Sequence, residues 1–290
     1  MSGRPPVGRP RVACTGRGRN QMTKPTARRP KRGSQDEGRD SPLFVRSVEK
    51  ALTFIGAFDA GHRHLSLSQL AERVGTDMST AQRFVYTLEK LGLLRKAAGT
   101  RLYEVAPQLL NLGHRYLVGN ELIERATPTM LHLSKTTEAT INLMVPDGVD
   151  IVYISRFHSR NLVNAEIMIG ARLPMFATAS GMAILARMPP EDAEQILASS
   201  NFTKLTSFTE IRPDAIRKRL ADIRKKGYAV AYQETSVGDI SVASAILGAD
   251  GAPVAGLGIS TSTLTMSLQA AEKAYAPLVM AAASSLSQRL

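Results

Sequence analysis

Between Ser66 and Gly92 the chain has little choice of local structure, because its turn signals and apolar repeats all point to two short helices joined at one tight corner. Ser66-Leu67-Ser68-Gln69 has the S-x-x-Q form of a capping box, in which the serine hydroxyl and the glutamine amide satisfy backbone groups at a helix start. Leu67, Leu70, Ala71 and Val74 then recur at helical spacing, and Gly75 stands where that helix must stop and turn. Asp77 is a good N-cap for the next helix, read over 77–91, whose apolar face is Ala81, Phe84, Val85, Leu88 and Leu91 and which Gly92 ends. An earlier helix from Val45 places Val48, Ala51, Leu52, Ile55 and Phe58 on one face and closes at Gly61. Beyond Gly92, Leu93–Lys96 and Arg101–Val105 read as two short strands around a glycine-containing turn. Three helices and a β-ribbon over 43–106 predict a winged helix-turn-helix.

An α-helix fits the major groove of B-DNA, and the second helix of such a unit is the one held there. With its apolar face turned inward, the first turns of helix 77–91 present Ser79, Thr80, Gln82, Arg83 and Tyr86. Gln can bond an adenine edge at two points and Arg a guanine edge, while hydroxyls bond phosphate or base. The ribbon adds Arg95, Lys96 and Arg101 as candidate backbone contacts. Polar residues on the outside of a small helical domain are ordinary in themselves; the tight turn, the basic ribbon and the basic chain together favour double-stranded operator DNA as a partner.

The formal net charge is +12 over 290 residues, and its placement matters more than its size. Residues 1–40 hold eleven Lys or Arg against Asp36, Glu37 and Asp40, whereas the rest of the chain holds 26 basic and 22 acidic residues. Pro5, Pro6, Pro10, Pro25, Pro30 and Pro42 interrupt the same stretch, so 1–42 is expected to be a disordered basic tail able to add sequence-independent phosphate contacts. Met22 offers an alternative start. Cys14 is the single cysteine, which leaves no intrachain disulfide and argues against a cysteine-based zinc site. No apolar run is long enough for a membrane-spanning helix and no signal peptide is evident, so no membrane partner and a cytoplasmic location are expected.

Residues 107–119 carry Leu109, Leu110, Leu112, Tyr116 and Leu117 at helical spacing and read as a linker helix whose stripe packs between protomers. From 120 to 290, helical stretches around 121–136, 180–188, 191–198, 213–226 and 267–289 alternate with strand-like runs at Ala139–Val145, Ile151–Arg156, Ala165–Ile169, Ala229–Tyr232, Ser241–Leu247 and Val254–Ser260. The fold class is therefore α+β, with a mixed sheet domain following the helical head.

These residues carry a family resemblance. Val45–Leu52, Leu67–Val74, Ser79-Thr80-Ala81-Gln82-Arg83 and Leu88–Gly92 resemble the N-terminal domain of IclR-family transcriptional regulators, and Gly170–Ala186 with Gly227-Tyr228-Ala229 through Glu234 and Gly238 are similar to the best-marked stretches of that family's effector-binding domain. The similarity runs over about 43–290, in order and spacing. One departure lies at Thr76-Asp77-Met78, where the family often has an apolar residue, a proline and a basic residue. The resemblance implies a GAF-like effector-binding domain, a curved sheet flanked by helices, with a ligand cavity on one side of the sheet. It further implies an effector site at Leu173, Ala179, Ser180, Asp239, Ser241, Gly258 and Ser260: Leu173 as an apolar wall, the three serines as hydrogen-bond donors and Gly258 leaving space. Thr178-Ala179-Ser180-Gly181 at a helix start suits an anion, because unpaired N–H groups and the positive dipole end converge there. Some relatives have an acid in place of Ala231 and a serine in place of Gly258, which implies a roomier, less polar pocket and a larger acid, aromatic acids included, as effector. The resemblance implies assembly as a homodimer or dimer of dimers.

No catalytic residue, cofactor or metal is expected. The surroundings of Ser180 lack the G-x-S-x-G elbow of a hydrolase, His62, His64, His114, His132 and His158 are scattered, and Gly248-Ala249-Asp250-Gly251 reads as a hairpin turn rather than a phosphate loop. Two classes remain open on the residues alone: a ligand-responsive transcription factor, or a sensing or enzymatic module whose helical head mediates protein contacts. Salt-sensitive binding to promoter DNA separates them.

Overall fold

The computed structural model describes residues 39–159 and 167–287. The expected basic tail lies outside the described residues except for its last few positions. In the head, α1 (Arg46–Ile55), α2 (Leu67–Val74) and α3 (Met78–Lys90) are followed by the antiparallel ribbon β1 (Leu94–Lys96) and β2 (Tyr103–Val105). The predicted ends of α2 and α3 are present, whereas α1 stops at Ile55 with Gly56 as its C-cap, short of the expected Gly61, because the Gly56 and Ala57 N–H groups turn back onto Leu52 and Phe54 and the chain leaves the helix before Phe58. Ser66 and Gln69 form the reciprocal capping box, Gly75 takes a left-handed φ of 70° that a side chain would resist, and Asp77 caps α3.

The inward faces differ from expectation at two places. Phe54, not the stripe beginning at Val48, is the fully buried residue of α1, and its ring stacks on Phe84 at 5.5 Å. Val48 and Leu52 are more than half exposed, as is Leu91, which follows α3 as its C-cap instead of continuing its apolar face. Helical period alone gives a stripe but not its azimuth; here α1 is rotated so that its aromatic residue fills the three-helix core and its aliphatic edge borders an open groove beside α3.

Helix α4 (Gln108–Val118) contributes no buried residue, with Leu110, Leu112, Tyr116 and Val118 all exposed. The larger domain is built on a six-stranded antiparallel sheet in the order β5-β4-β3-β8-β7-β6, formed by β3 (Thr140–Asp147), β4 (Asp150–Phe157), β5 (Arg172–Pro174), β6 (Ala229–Tyr232), β7 (Asp239–Leu247) and β8 (Pro253–Ser262). Ile167–Ile169 are not a strand. Gly170 turns the chain at φ 88°, Gly170 and Ala171 already exchange backbone bonds with Tyr153, and the edge strand proper begins where Arg172 meets Val152. The Gly248–Gly251 segment is the turn between β7 and β8.

Alternation along the strands divides the sheet between two cores. Ile141 and Leu143, Ile240 and Val242, and Leu257 and Ile259 pack against α5 (Glu121–Thr137) and α9 (Leu268–Ser287). The opposite face of the same strands is small or polar, with Asn142, Met144, Ser241, Ala243, Gly256, Gly258 and Ser260, and it lies under α6 (Ala179–Arg187). Helices α7 (Pro190–Ser199) and α8 (Pro213–Lys226) complete that layer.

Candidate functional site

On α3, Ser79, Gln82, Arg83 and Tyr86 are exposed, while Ala81, Val85 and Leu88 anchor the helix from behind. Thr80 differs from its neighbours. Its backbone N–H donates to Asp77 Oδ1 at 2.8 Å and its hydroxyl to Asp77 Oδ2 at 2.7 Å, so it is occupied in starting the helix. Lys90, one turn beyond Tyr86, sets its ammonium 5.3 Å from that ring's centre and extends the exposed cationic row; the four-residue spacing from Tyr86 was the signal for it.

The ribbon is less cationic than its composition implies. Arg95 Nε donates to Glu104 Oε1 at 2.7 Å, and His64 Nε2 lies 2.9 Å from Glu104 Oε2. The Arg95 bond, then the His64 bond, hold the Glu104 carboxyl below the usual carboxylate range, so much of Arg95's charge is answered within the head. Lys96 lies 6.0 Å from the Tyr103 ring, and Arg101 stays exposed beside the left-handed Gly99 of the turn.

In the sensing domain, six of the seven expected residues converge. Ala179, Ser180, Ser241, Gly258 and Ser260 line one narrow cleft between α6 and the sheet, and Asp239, Ser241 and Ser260 line its continuation. Leu173 is elsewhere, on β5 opposite Ile151 and packed on the core beneath α6. The cleft is narrow and lined with polar groups. Its two parts hold about 20 Å³ each, the scale of a single water. Asn142, Tyr153 and Arg156 also line it.

Those three are placed by a fault in the strand register. Asn142 pairs with Arg156 and Met144 with Tyr153, the pairing shifting between Leu143 and Met144. Strict alternation would send residues 153 and 156 to opposite faces; the bulge brings both to the face of Asn142. The far end of the cleft is braced by Glu234, a buried carboxylate held by Arg219 at 2.7 Å and 3.1 Å, with Thr206 and Thr209 hydroxyls donating to the carbonyls of Gln233 and Glu234. This clasp fixes the segment carrying Thr235 and Asp239.

The cleft's electrostatics follow from burial. Desolvation pushes the Asp239 carboxyl up to about 6, against the opposing pull of the Ser241 hydroxyl and the Arg156 charge. Burial, reinforced by Asp239, pushes the Tyr153 hydroxyl up to about 12 and keeps it a donor. Desolvation also lowers Arg156, whose Nη1 donates to the Ile167 carbonyl at 2.6 Å. Ser180 and Asn142 are 1% and 3% exposed, and Ser180 Oγ and Asn142 Oδ1 are buried without a hydrogen-bond partner among the described residues. Such atoms cost about 1–3 kcal/mol each unless something meets them.

A helix presented on a hydrophobic back, a ribbon beside it and a separate sheet domain define a class: two-domain DNA-binding regulators. Residues 47–98 match the IclR helix-turn-helix domain and residues 114–288 the C-terminal domain of bacterial IclR transcriptional regulators. The chain belongs to the IclR family of DNA-binding transcriptional regulators. It is 30% identical to the Pca regulon regulatory protein of Pseudomonas putida over 86% of this chain and 85% of that one. A transcriptional regulator of Rhodococcus sp. RHA1 superimposes with a TM-score of 0.73 at 32% identity, covering 85% of this chain and 98% of that one. The fold is shared too by an IclR homolog from Microbacterium hydrocarbonoxydans complexed with 4-hydroxybenzoate, with a TM-score of 0.69 at 22% identity over 83% of this chain and 97% of that one. Among the described residues, no helix is long and apolar enough to cross a membrane.

Proposed function

We propose that this regulator reads a pseudo-palindromic operator with α3 in the major groove, and that a small organic acid bound in the α6 cleft alters its DNA affinity. It acts in the cytoplasm as a homodimer or dimer of dimers. The observation that carries the DNA half is the exposed row Ser79, Gln82, Arg83 and Tyr86 on a helix whose other face is fully buried. Replacing Arg83 with Ala is expected to weaken operator binding by about 1–3 kcal/mol at fixed salt, the value of a good bidentate base contact. Fluorescence anisotropy with labelled operator reads this directly, and unchanged affinity removes Arg83 from the reading surface.

The ligand half rests on Ser180 Oγ, a buried hydroxyl without a hydrogen-bond partner among the described residues, at the start of α6 where the positive end of the helix dipole lies. Tyr153, Arg156 and Ile167 line this cleft and also the groove they share with Leu110, His114 and Leu117 of α4, which gives an acid bound beside them a route to the linker. An acid that favours one arrangement of that contact shifts the head between DNA-competent and incompetent states. Ser180→Ala is expected to abolish the response to the acid in the operator assay while leaving basal DNA affinity intact. A full response in that variant places the effector elsewhere.

Support for self-assembly comes from two unpartnered apolar surfaces. The groove between α1 and α3 holds about 610 Å³ and is walled by Val48, Ala51, Leu52, Phe84 and Leu91, and the exposed side of α4 adds Leu110, Leu112 and Tyr116. A monomer by light scattering at micromolar concentration would remove this part of the proposal.

A further inference from the structure

Met78 is a large apolar side chain exposed at the reading end of α3. It stands at the first position of the helix and is 49% exposed. Val48, Leu52 and Leu91, exposed beside the same helix, border the groove shared with α1. Met78 belongs neither to that groove nor to the core of the three helices. Gln82 follows it by four residues, so the two side chains share one face, about 6 Å apart along the axis.

A bare helix start attracts phosphate, but this one is already answered. Asp77 Oδ1 accepts from Thr80 N–H and Oδ2 from the Thr80 hydroxyl, and these bonds hold the carboxyl below the usual carboxylate range. Residues 77–82 carry no cation to offset that carboxylate, so a DNA phosphate brought to this end would meet a like charge. The exposed cations of the reading surface lie farther on. Arg83 follows the first turn, and Lys90 and Lys96 line a groove of about 440 Å³ between α3 and the ribbon. Phosphate contacts therefore fall to the later part of α3 and the ribbon, and the first turn is left to the bases. In the major groove the base edges offer one apolar group, the 5-methyl of thymine; their other features are donors and acceptors that a thioether meets only weakly.

We infer that Met78 reads a thymine of the operator, packing its side chain against the 5-methyl group within about two base pairs of the base that Gln82 contacts. This rests on the reading of α3 as the helix in the major groove. The distance follows from the two rises: about 6 Å along the helix from Met78 to Gln82, against about 3.4 Å per base pair. Removing the methyl gives up roughly one methylene's worth of apolar burial, which is about a fourfold change in affinity.

The probe is a duplex enriched from random-sequence DNA by the full chain. Each thymine in it is replaced in turn by uracil, which removes the methyl and keeps the pairing and the O4 acceptor, and affinity is read by fluorescence anisotropy at fixed salt. One thymine in each half-site is expected to lose about fourfold with the parent chain and nothing with Met78→Ala. Met78 is exposed and alanine is the best helix former, so the variant keeps the fold. A loss caused by altered duplex shape appears with both chains and cancels in the comparison. An enriched half-site without thymine, or uracil losses that are the same for Met78→Ala as for the parent, overturns the thymine contact; weakened binding of that duplex by Gln82→Ala or Arg83→Ala then leaves α3 as the reading helix. If no sequence is enriched, or both of those variants bind it as the parent does, both readings fall.

Discussion

Replacing Gly181 with alanine is expected to leave the sensing domain unable to hold its native fold. A Cβ at this position would fall far inside van der Waals contact with the Cα and the carbonyl oxygen of Met175, and 2.6 Å from Thr178 Oγ1. None of these atoms is the loose end of a flexible side chain. Met175 N–H is bonded to the Val149 carbonyl at 3.0 Å, and Thr178 Oγ1 accepts from Gly181 N–H at 3.1 Å as the cap of α6. Relief requires α6 to lift off the short 3-10 turn Met175–Ala177, which would open the buried cluster of Met175, Phe176, Met182 and Ile184. Overpacking of this kind against backbone belongs with the rare substitutions that cost more than about 4 kcal/mol. Thermal denaturation of the full chain should show the sensing-domain transition lost or strongly lowered while the head still melts; a variant melting as the parent does would show that α6 is not seated as described.

Asp239→Asn is expected to act in the other direction. A carboxyl at about 6 when folded and near 3.8 when unfolded retains its proton in the native state over the interval where the unfolded chain has released it. The native state binds more protons between about pH 4 and 6, so stability falls as pH rises through that window and the loss is complete above it. The difference corresponds to about 3 kcal/mol at neutral pH. An asparagine keeps an acceptor for Ser241 and carries no charge into the low-dielectric cleft. The variant should therefore be the more stable protein in urea at pH 7.5, by up to about 3 kcal/mol, with the gap narrowing to about 1 kcal/mol at pH 4.5 and closing below the unfolded value of 3.8. Equal midpoints at both pH values would mean that Asp239 is better solvated than its surroundings suggest.

The head and the sensing domain differ in how far their sites could be read from the chain. Ser66, Gln69, Gly75 and Asp77 act on backbone groups three or fewer residues away, so their roles were legible as spacing, and the helix-turn-helix with its outward row followed. The same spacing could not orient α1, since Phe54 and the Val48–Leu52 edge both recur at helical intervals and only packing against Phe84 chooses between them. Arg95 looked like a free cation for the same reason: Glu104 is its cross-strand partner, and that register belongs to the ribbon.

What the sequence determined by itself was the order of elements and the capped ends of α2 and α3, while Ser241, Gly258 and Ser260 were named through the family resemblance and prove to share the small, polar face of β7 and β8. Only the tertiary structure decided what that face meets. The bulge opposite Leu143 and Met144 sets Tyr153 and Arg156 beside Asn142, a placement that depends on pairing between two strands and leaves no trace in the period of either. The bonds that join Asn142 to Ser260, Ser260 to Ser241 and Ser241 to Asp239 were likewise undecided, because their members lie as far as 118 residues apart in the chain.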